Sequence, residues 1–274
     1  MNKRSIQERV LKLADVMGLP LRTRWGVKWV PIPDSNSWSI LLEKPHPEED
    51  IINFVRSYLR EGDVFVDIGS HHGLYTLLAA KQVGKAGKVI SFEPSPRERV
   101  KLMRNIRANR CQNLVTVEPF ALSDTIGEVQ LLLAPTFHSG LNSLRPINEP
   151  IQVESVISVK STTLDEYVKQ KGIHRIKLIK VDAEGAELSI LRGSLYVLQH
   201  LRPIWVLEAS SRRTMPWGYT PHDLVSFMSD MGYTCYRVSG KKLVPLAEAA
   251  LDIVEDYIIA APQTNEQNLP LWID

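Results

Sequence analysis

The stretch Val64-Phe65-Val66-Asp67-Ile68-Gly69-Ser70-His71-His72-Gly73-Leu74-Tyr75-Thr76 leaves few folds open. An apolar run carries one acid, Asp67, near its end. A turn bounded by Gly69 and Gly73 follows, and Leu74, Leu77, Leu78 and Ala80 then open a helix-like pattern. That order predicts a buried strand, a tight turn and a helix N-terminus. The first N–H groups of such a helix have no intrahelical partner, so the junction can meet a ligand. Dinucleotide sites use Gly-x-Gly-x-x-Gly, whose middle glycine lets the backbone approach a pyrophosphate. Here the spacing is Gly69-x-x-x-Gly73, with His71 and His72 between. A second apolar run, Lys88 to Phe92, ends in Glu93-Pro94. An acid at the tip of a second strand can accept both hydrogen bonds of a ribose diol. The pair points to a nucleoside-bearing ligand without a diphosphate, and S-adenosylmethionine fits that description. The plain alternative is a glycine at an ordinary strand–helix turn of an α/β protein.

At 274 residues the chain has length for one large or two small domains. Its 44% hydrophobic and 23% charged residues are those of a globular core. A formal charge of +2 is neutral evidence on nucleic acid, but no dense Lys/Arg tract marks a phosphate-tracking surface, so no nucleic-acid partner is expected. Cys111 and Cys235 stand far apart and read as two reduced thiols. Glu8, Arg9, Lys12 and Asp15 interrupt the first twenty residues, unlike a signal peptide. No apolar run approaches the roughly 18 residues needed to span a bilayer, and a cytoplasmic enzyme is the expectation.

Ile6, Val10, Leu11, Leu13 and Val16 share one helical face, which predicts an amphipathic helix over 4–17. It could pack on the core, contact another subunit or touch a membrane surface, and packing is the commonest use of such a stripe. Trp25, Trp29 and Trp38 either line an acceptor pocket or form an extended apolar cover, the reading preferred here. Residues 1–46 thus form a helical, Trp-rich extension packed on a domain spanning 47–274. Further helices are expected over 48–60, from Gly73 to about Val83, after the cap Ser95 with Pro96 and Glu98, after Thr163, after Glu187 and over 221–231. Leu114 to Leu122 reads as a third strand. Pro119 would cost a central strand a ladder hydrogen bond, so this strand belongs at an edge. Residues 129–134 and 153–159 alternate like an antiparallel pair around a polar loop, 135–150. Ile176 to Asp182, Arg202 to Leu207, Tyr233 to Val238 and Tyr257 to Ala260 supply the remaining strands. Strands alternating with helices predict an α/β fold with a mostly parallel, doubly wound sheet.

Val66-Asp67-Ile68-Gly69 with Gly73, Phe92-Glu93-Pro94, Ala121-Leu122-Ser123-Asp124, Thr163-Leu164-Asp165 and Lys180-Val181-Asp182-Ala183-Glu184-Gly185-Ala186-Glu187 occur in the order of FkbM-type methyltransferases. Over roughly residues 60–210 the chain resembles that family. The resemblance implies the class I (Rossmann-like) methyltransferase fold, seven strands in the order 3-2-1-4-5-7-6, binding S-adenosylmethionine. It also implies O-methylation of a hydroxyl on a sugar or secondary metabolite. The chain departs from the family's usual first turn by placing His71 and His72 there.

In an open α/β sheet the site lies beyond the carboxyl ends of the strands, which sets Asp67, Glu93, Asp124, Asp182 and Glu208 along one rim. Asp67 with the backbone of Gly69, Ser70 and Gly73 is assigned to the methionine end of the cofactor. Glu93 and Pro94 go to the ribose, and Ser123 and Asp124 to the adenine. Asp182 and Glu184 sit where donor and acceptor meet, and His138 is a candidate base because it lies in the long loop and titrates near neutral pH. Each has a rival reading: Asp67 only orients the turn, Asp182 or Glu184 caps the next helix, Glu208 pairs with Arg212 or Arg213, and His138 is a surface residue. Magnesium at Asp182 and Glu184 is a further alternative, but no third acid at matching spacing supports it, and no metal is assigned. The loop 135–150 is expected to be pinned at its ends, free in its middle and hinged at Gly140, closing over a small-molecule or glycan acceptor at the tips of the first and fourth strands. The N-terminal helix is a possible oligomer contact. Two other functional classes compete: a methyltransferase-like binding module without catalysis, and a nicotinamide-dependent oxidoreductase, which the missing middle glycine disfavours.

Overall fold

The computed structural model describes Arg9 and residues 13–14, 16–32, 34–42, 45–239, 242–246 and 255–264. Eight strands form the main sheet: β3 (Val64–Ile68), β4 (Lys88–Phe92), β5 (Val115–Glu118), β9 (Leu178–Val181), β10 (Ile204–Ser210), β11 (Tyr233–Ser239), β12 (Lys242–Pro245) and β13 (Glu255–Pro262). Their order is β12-β11-β13-β10-β9-β3-β4-β5. The five strands from β10 to β5 are parallel, and β13, β11 and β12 join antiparallel. The count is eight rather than the expected seven, because Lys242–Pro245 folds back on β11 as a further edge strand. Two short strands, β1 (Leu21–Arg22) and β2 (Lys28–Trp29), pair with each other ahead of the sheet.

Period-two alternation builds two cores, one on each face. Phe65, Val89, Leu178, Val206 and Ile259 point to one side, where helices Glu49–Tyr58 and Leu74–Val83 cover them. Trp25, Trp29 and Ile40 belong to that same buried cluster. Val66, Ile90, Ile179, Trp205 and Ile258 point to the other, under helices Leu164–Gln170 and Pro221–Asp230.

Pro119 divides the stretch expected to be one strand. β5 stays at the edge of the main sheet, while β6 (Ala121–Leu122) leaves to pair with β8 (Ser155–Thr162), which also pairs antiparallel with β7 (Gly127–Leu133). A proline has no N–H for the ladder, so the chain turns there. Of the N-terminal helix expected over 4–17, only Arg9, Leu13, Ala14, Val16 and Met17 fall within the described residues; the first four are helical and Met17 is already in a turn. Ala14 is buried, but Leu13 and Val16 are 60% and 84% exposed, so these two do not pack on the core.

Candidate active site

The carboxyl rim of the sheet carries a polar row where each face runs out of apolar positions. On the face of Phe65, Leu178 and Val206, the next positions along the strands are Asp67, Lys180 and Glu208, and Asp67 lies directly opposite Lys180 in register. Lys180 is only 2% exposed. Its ammonium meets Asp182 at 2.7 Å and lies 4.4 Å and 5.5 Å from the ring centres of Tyr75 and Tyr257. Burial alone would lower its pKa, but Asp182, Asp67 and Glu48 raise it. Tyr257 donates to Asp182 Oδ2 at 2.7 Å, and Tyr75 donates to Glu48 at 2.6 Å. Burial would push Asp182 up, yet Lys180 and Tyr257 hold it below the usual range. Lys180, Tyr75, Tyr257 and Glu48 were given no role from sequence. A lysine inside a buried parallel strand was the signal, since such a charge requires acid partners.

Asp67 is buried and accepts from Thr76 Oγ1 at 2.5 Å, which ties the strand to the first turn of helix Leu74–Val83. Its Oδ1 is buried with no hydrogen-bond partner among the described residues. The turn between them is strained in a directed way. Gly69, His71 and Gly73 all have positive φ, and a Cβ on Gly69 would collide with the Asp182 carbonyl. The left-handed His71 stacks on His72 with ring centres 3.6 Å apart, and its Nε2 lies 2.9 Å from Ser139 Oγ. Burial pushes the His71 pKa well down, so the ring is neutral. His72 is clamped between Glu98, at 2.5 Å, and Asp34 of the N-terminal extension, at 3.3 Å. Burial would raise Glu98, but the His72 contact holds it well below the carboxylate range.

Glu93 stands at the tip of β4. Its two oxygens accept the backbone N–H groups of His71, at 2.8 Å, and Ser95, at 2.9 Å. Burial pushes its pKa up to about 7 against those hydrogen bonds. The carboxylate faces a slot of about 70 Å³ walled by Pro94, Phe120, Ala121, Leu122 and Ile190. Gly69, His71, Gly140, Asp182 and Glu184 line both this slot and a larger cavity of about 420 Å³ that contains Asp67, Lys180, Glu208 and Tyr257. Asp182 and Glu184 therefore stand at the junction of the two spaces.

Glu184 has a left-handed backbone and pairs with Arg213 at 2.8 Å. Burial pushes its pKa well up, despite Arg213. Neither Glu184 nor Asp182 caps the next helix: the side chain of Glu187 does the nearest equivalent, accepting from Ala183 N at 2.8 Å. Glu208 lies 3.9 Å from Arg213, while Arg212 turns to Glu149. The third acid that sequence spacing does not show is Glu208: Asp182, Glu184 and Glu208 each place an oxygen within 4.8 Å of the others. Arg213 already supplies positive charge to two of them.

Two sets of assigned residues lie away from these spaces. Ser123 and Asp124 line neither space around Glu93; they line a separate cavity, where Ser123 Oγ is 3.3 Å from Ser189 Oγ. The turn at Pro119 swings them to the flank of helix Glu187–Arg192, and Phe120, Ala121 and Leu122 take the place against the slot. His138 lines neither space; its neighbours Ser139 and Gly140 do. A 3-10 turn over Thr136–Leu141 directs the His138 ring toward Phe137 instead. The loop is also not free in its middle. Ser143 bonds both ways with Leu132, Asn142 accepts from Ala134 N at 2.9 Å, and Ser35 donates to the Phe137 carbonyl at 2.9 Å. Gly140 lacks a positive φ and has open space at its Cβ, so nothing marks it as a hinge.

A parallel sheet with a glycine turn after its first strand and an amide-anchored acid at the tip of its second is a nucleoside-binding α/β architecture. The profile of the Methyltransferase FkbM domain matches residues 67–235, and the chain belongs to that family. It is 25% identical over 183 residues to the hexuronic acid methyltransferase AglP of Haloferax volcanii, covering 67% of this chain and 68% of that protein. It is 29% identical over 154 residues to the methyltransferase sdnD of Sordaria araneosa, covering 47% of this chain and 59% of that one. The FkbM methyltransferase structure from Methylobacillus flagellatus KT aligns with a TM-score of 0.47 at 14% identity, over 77% of this chain and 50% of that chain. Among the described residues no helix is long and apolar enough to cross a membrane.

Proposed function

We propose that the chain transfers a methyl group from S-adenosylmethionine to a hydroxyl of a sugar or secondary metabolite. The observation that carries this reading is Glu93, oriented by two backbone amides at the mouth of an apolar slot. Its remaining lone pairs can accept a ribose diol while Pro94, Phe120 and Leu122 take the flat base. The partnerless Asp67 Oδ1 suits the ammonium of the methionine end. S-adenosylmethionine would supply an already activated methyl on a cationic sulfur. The protein's part is then position, charge and proton acceptance.

Asp182, kept ionised by Lys180 and Tyr257, accepts the acceptor hydroxyl's hydrogen bond and orients its oxygen. Glu184, pushed up by burial, is the stronger base once ionised and takes the proton. The relative AglP, named for hexuronic acid, supports a sugar acceptor. Calorimetric titration with S-adenosylmethionine and with its demethylated product tests the cofactor. Glu93→Ala should weaken binding by about 1.5–3 kcal/mol, the worth of a hydrogen bond to a charged group. No heat and no thermal shift with either compound would sink the reading. A labelled-methyl screen over glycan and metabolite extracts, with the methyl position read by mass spectrometry, tests the acceptor; N-methyl products overturn the oxygen assignment.

A further inference from the structure

The cavity that holds Ser123 and Asp124 has a volume of about 460 Å³ and a different chemistry from the active site. The active-site cavity is crowded with carboxyl groups: Glu48, Asp67, Asp182, Glu184 and Glu208 all line it. This second cavity presents two guanidinium groups, Arg145 and Arg192, and one carboxylate, Asp124. Among the described residues neither arginine forms an ion pair with an acid. Arg192 acts on Asp223 only through its field. Arg145 is exposed, but its guanidinium lies 5.3 Å from the centre of the Trp217 ring. That ring is fixed in turn by a hydrogen bond from Nε1 to the Glu184 carbonyl at 3.2 Å. Tyr219 is fixed by a bond to the Gly185 carbonyl at 2.8 Å. The hydroxyls of Ser123 and Ser189 complete the polar lining. Leu144 is shared with the slot beside Glu93, so the two spaces adjoin.

From this arrangement we infer that the cavity between helix Glu187–Arg192 and Trp217 binds an anionic sugar. A planar guanidinium held by an aromatic ring is suited to paired hydrogen bonds with a carboxylate or a phosphate. Asp124 and the serine hydroxyls distinguish a sugar from a bare anion, because they take up ring hydroxyls that such an anion lacks. On the functional reading proposed above the reacting hydroxyl lies at Asp182, so the anionic unit and that hydroxyl are held in different places.

Titration calorimetry on the full chain at low ionic strength tests this with three probes: a uronic acid tetrasaccharide, glucose 6-phosphate and a neutral glucose tetrasaccharide. At least one charged probe should bind ten times more tightly than the neutral one, and the carboxylate and phosphate arms show which anion is read. Arg145→Ala with Arg192→Ala should remove that preference while S-adenosylmethionine affinity and Tm stay at the parent values, since both side chains are exposed. Arg104→Ala with Arg107→Ala removes the same charge from the exposed face of another helix and should keep the preference. Equal binding of the neutral sugar, no binding of either charged probe, or an unchanged affinity in the Arg145/Arg192 variant would each overturn the inference.

Discussion

Glu93 accepts two backbone amides before any ligand arrives, yet burial still raises its pKa to about 7 from an ordinary 4.5. Between those two values the folded chain holds a proton that the unfolded chain has released. Glu93 therefore favours the folded state fully below its ordinary 4.5, and that contribution is lost progressively as pH rises to about 7. Ligand binding runs in the opposite direction, because a ribose diol needs the ionised carboxylate as acceptor. S-adenosylmethionine affinity should thus climb several-fold between pH 6 and 8, and Glu93→Gln should bind more weakly with a flat profile across that range. Calorimetric titration at three pH values reads both. A parent profile as flat as the variant's would show that Glu93 does not titrate in the site.

At the scale of elements, the turn Thr136–Leu141 decides access. Ser139, Gly140 and Asn142 line the slot beside Glu93, whose volume of about 70 Å³ is well below the roughly 300 Å³ of the smallest usual ligand pockets. Lifting the turn would widen the slot for an adenosine. Its latches are Ser139 on His71, Asn142 on Ala134 and Arg97, and Ser35 on Phe137. Replacing residues 137–143 with a Gly/Ser linker, with glycine at 139 and 142, removes the Ser139 and Asn142 side-chain latches and leaves only the Ser35 bond to a main-chain carbonyl. Cofactor association in stopped flow should speed up, dissociation should speed up more, and methyl transfer should fall. Unchanged rates in both directions would remove the turn from the gating step. The sequence reading set the loop over the acceptor alone; in the structure it lines the slot beside Glu93 and, through Gly140 and Leu141, the larger cavity as well. Polar composition marked the loop, but its anchors come from Leu132, Arg97 and Ser35, which local patterns do not bring near. Strands were legible for the opposite reason. Val64–Ile68 and Lys88–Phe92 announce themselves by continuous apolar runs, as strands buried on both faces must. Glu93 and Asp67 followed from standing at the ends of those runs. Glu208 was legible in the same way, at the tip of its strand, whereas Tyr257 joined the site only through sheet order, which sets β13 beside β10.

At the scale of the whole molecule, the core on the Phe65 face crosses the boundary at residue 46. Trp25, Trp29 and Ile40 share it with Ile52, Phe65, Leu78 and Ile259. Polar contacts cross the same boundary: Asn105 accepts from Val30 N at 2.8 Å, Asn109 accepts from Lys28 N at 2.8 Å, and Asp34 faces His72 at 3.3 Å. An extension attached this way cannot unfold without opening the core beneath helix Leu74–Val83 and loosening the turn that carries Ser70 to Gly73. Trp29 is fully buried, and its Nε1 donates to Ser37 Oγ at 3.0 Å. Trp29→Ala should cost about 3–5 kcal/mol, the usual range for emptying an aromatic core site. At about 2–4 °C per kcal/mol for a chain of this size, Tm should fall by many degrees. The decisive feature is the shape of the transition. If the extension and the sheet unfold as one unit, scanning calorimetry of parent and variant alike shows a single peak whose calorimetric and van't Hoff enthalpies agree. A second, low-temperature peak in Trp29→Ala, with the main peak left in place, would mean that the Trp-rich extension melts independently of the catalytic sheet.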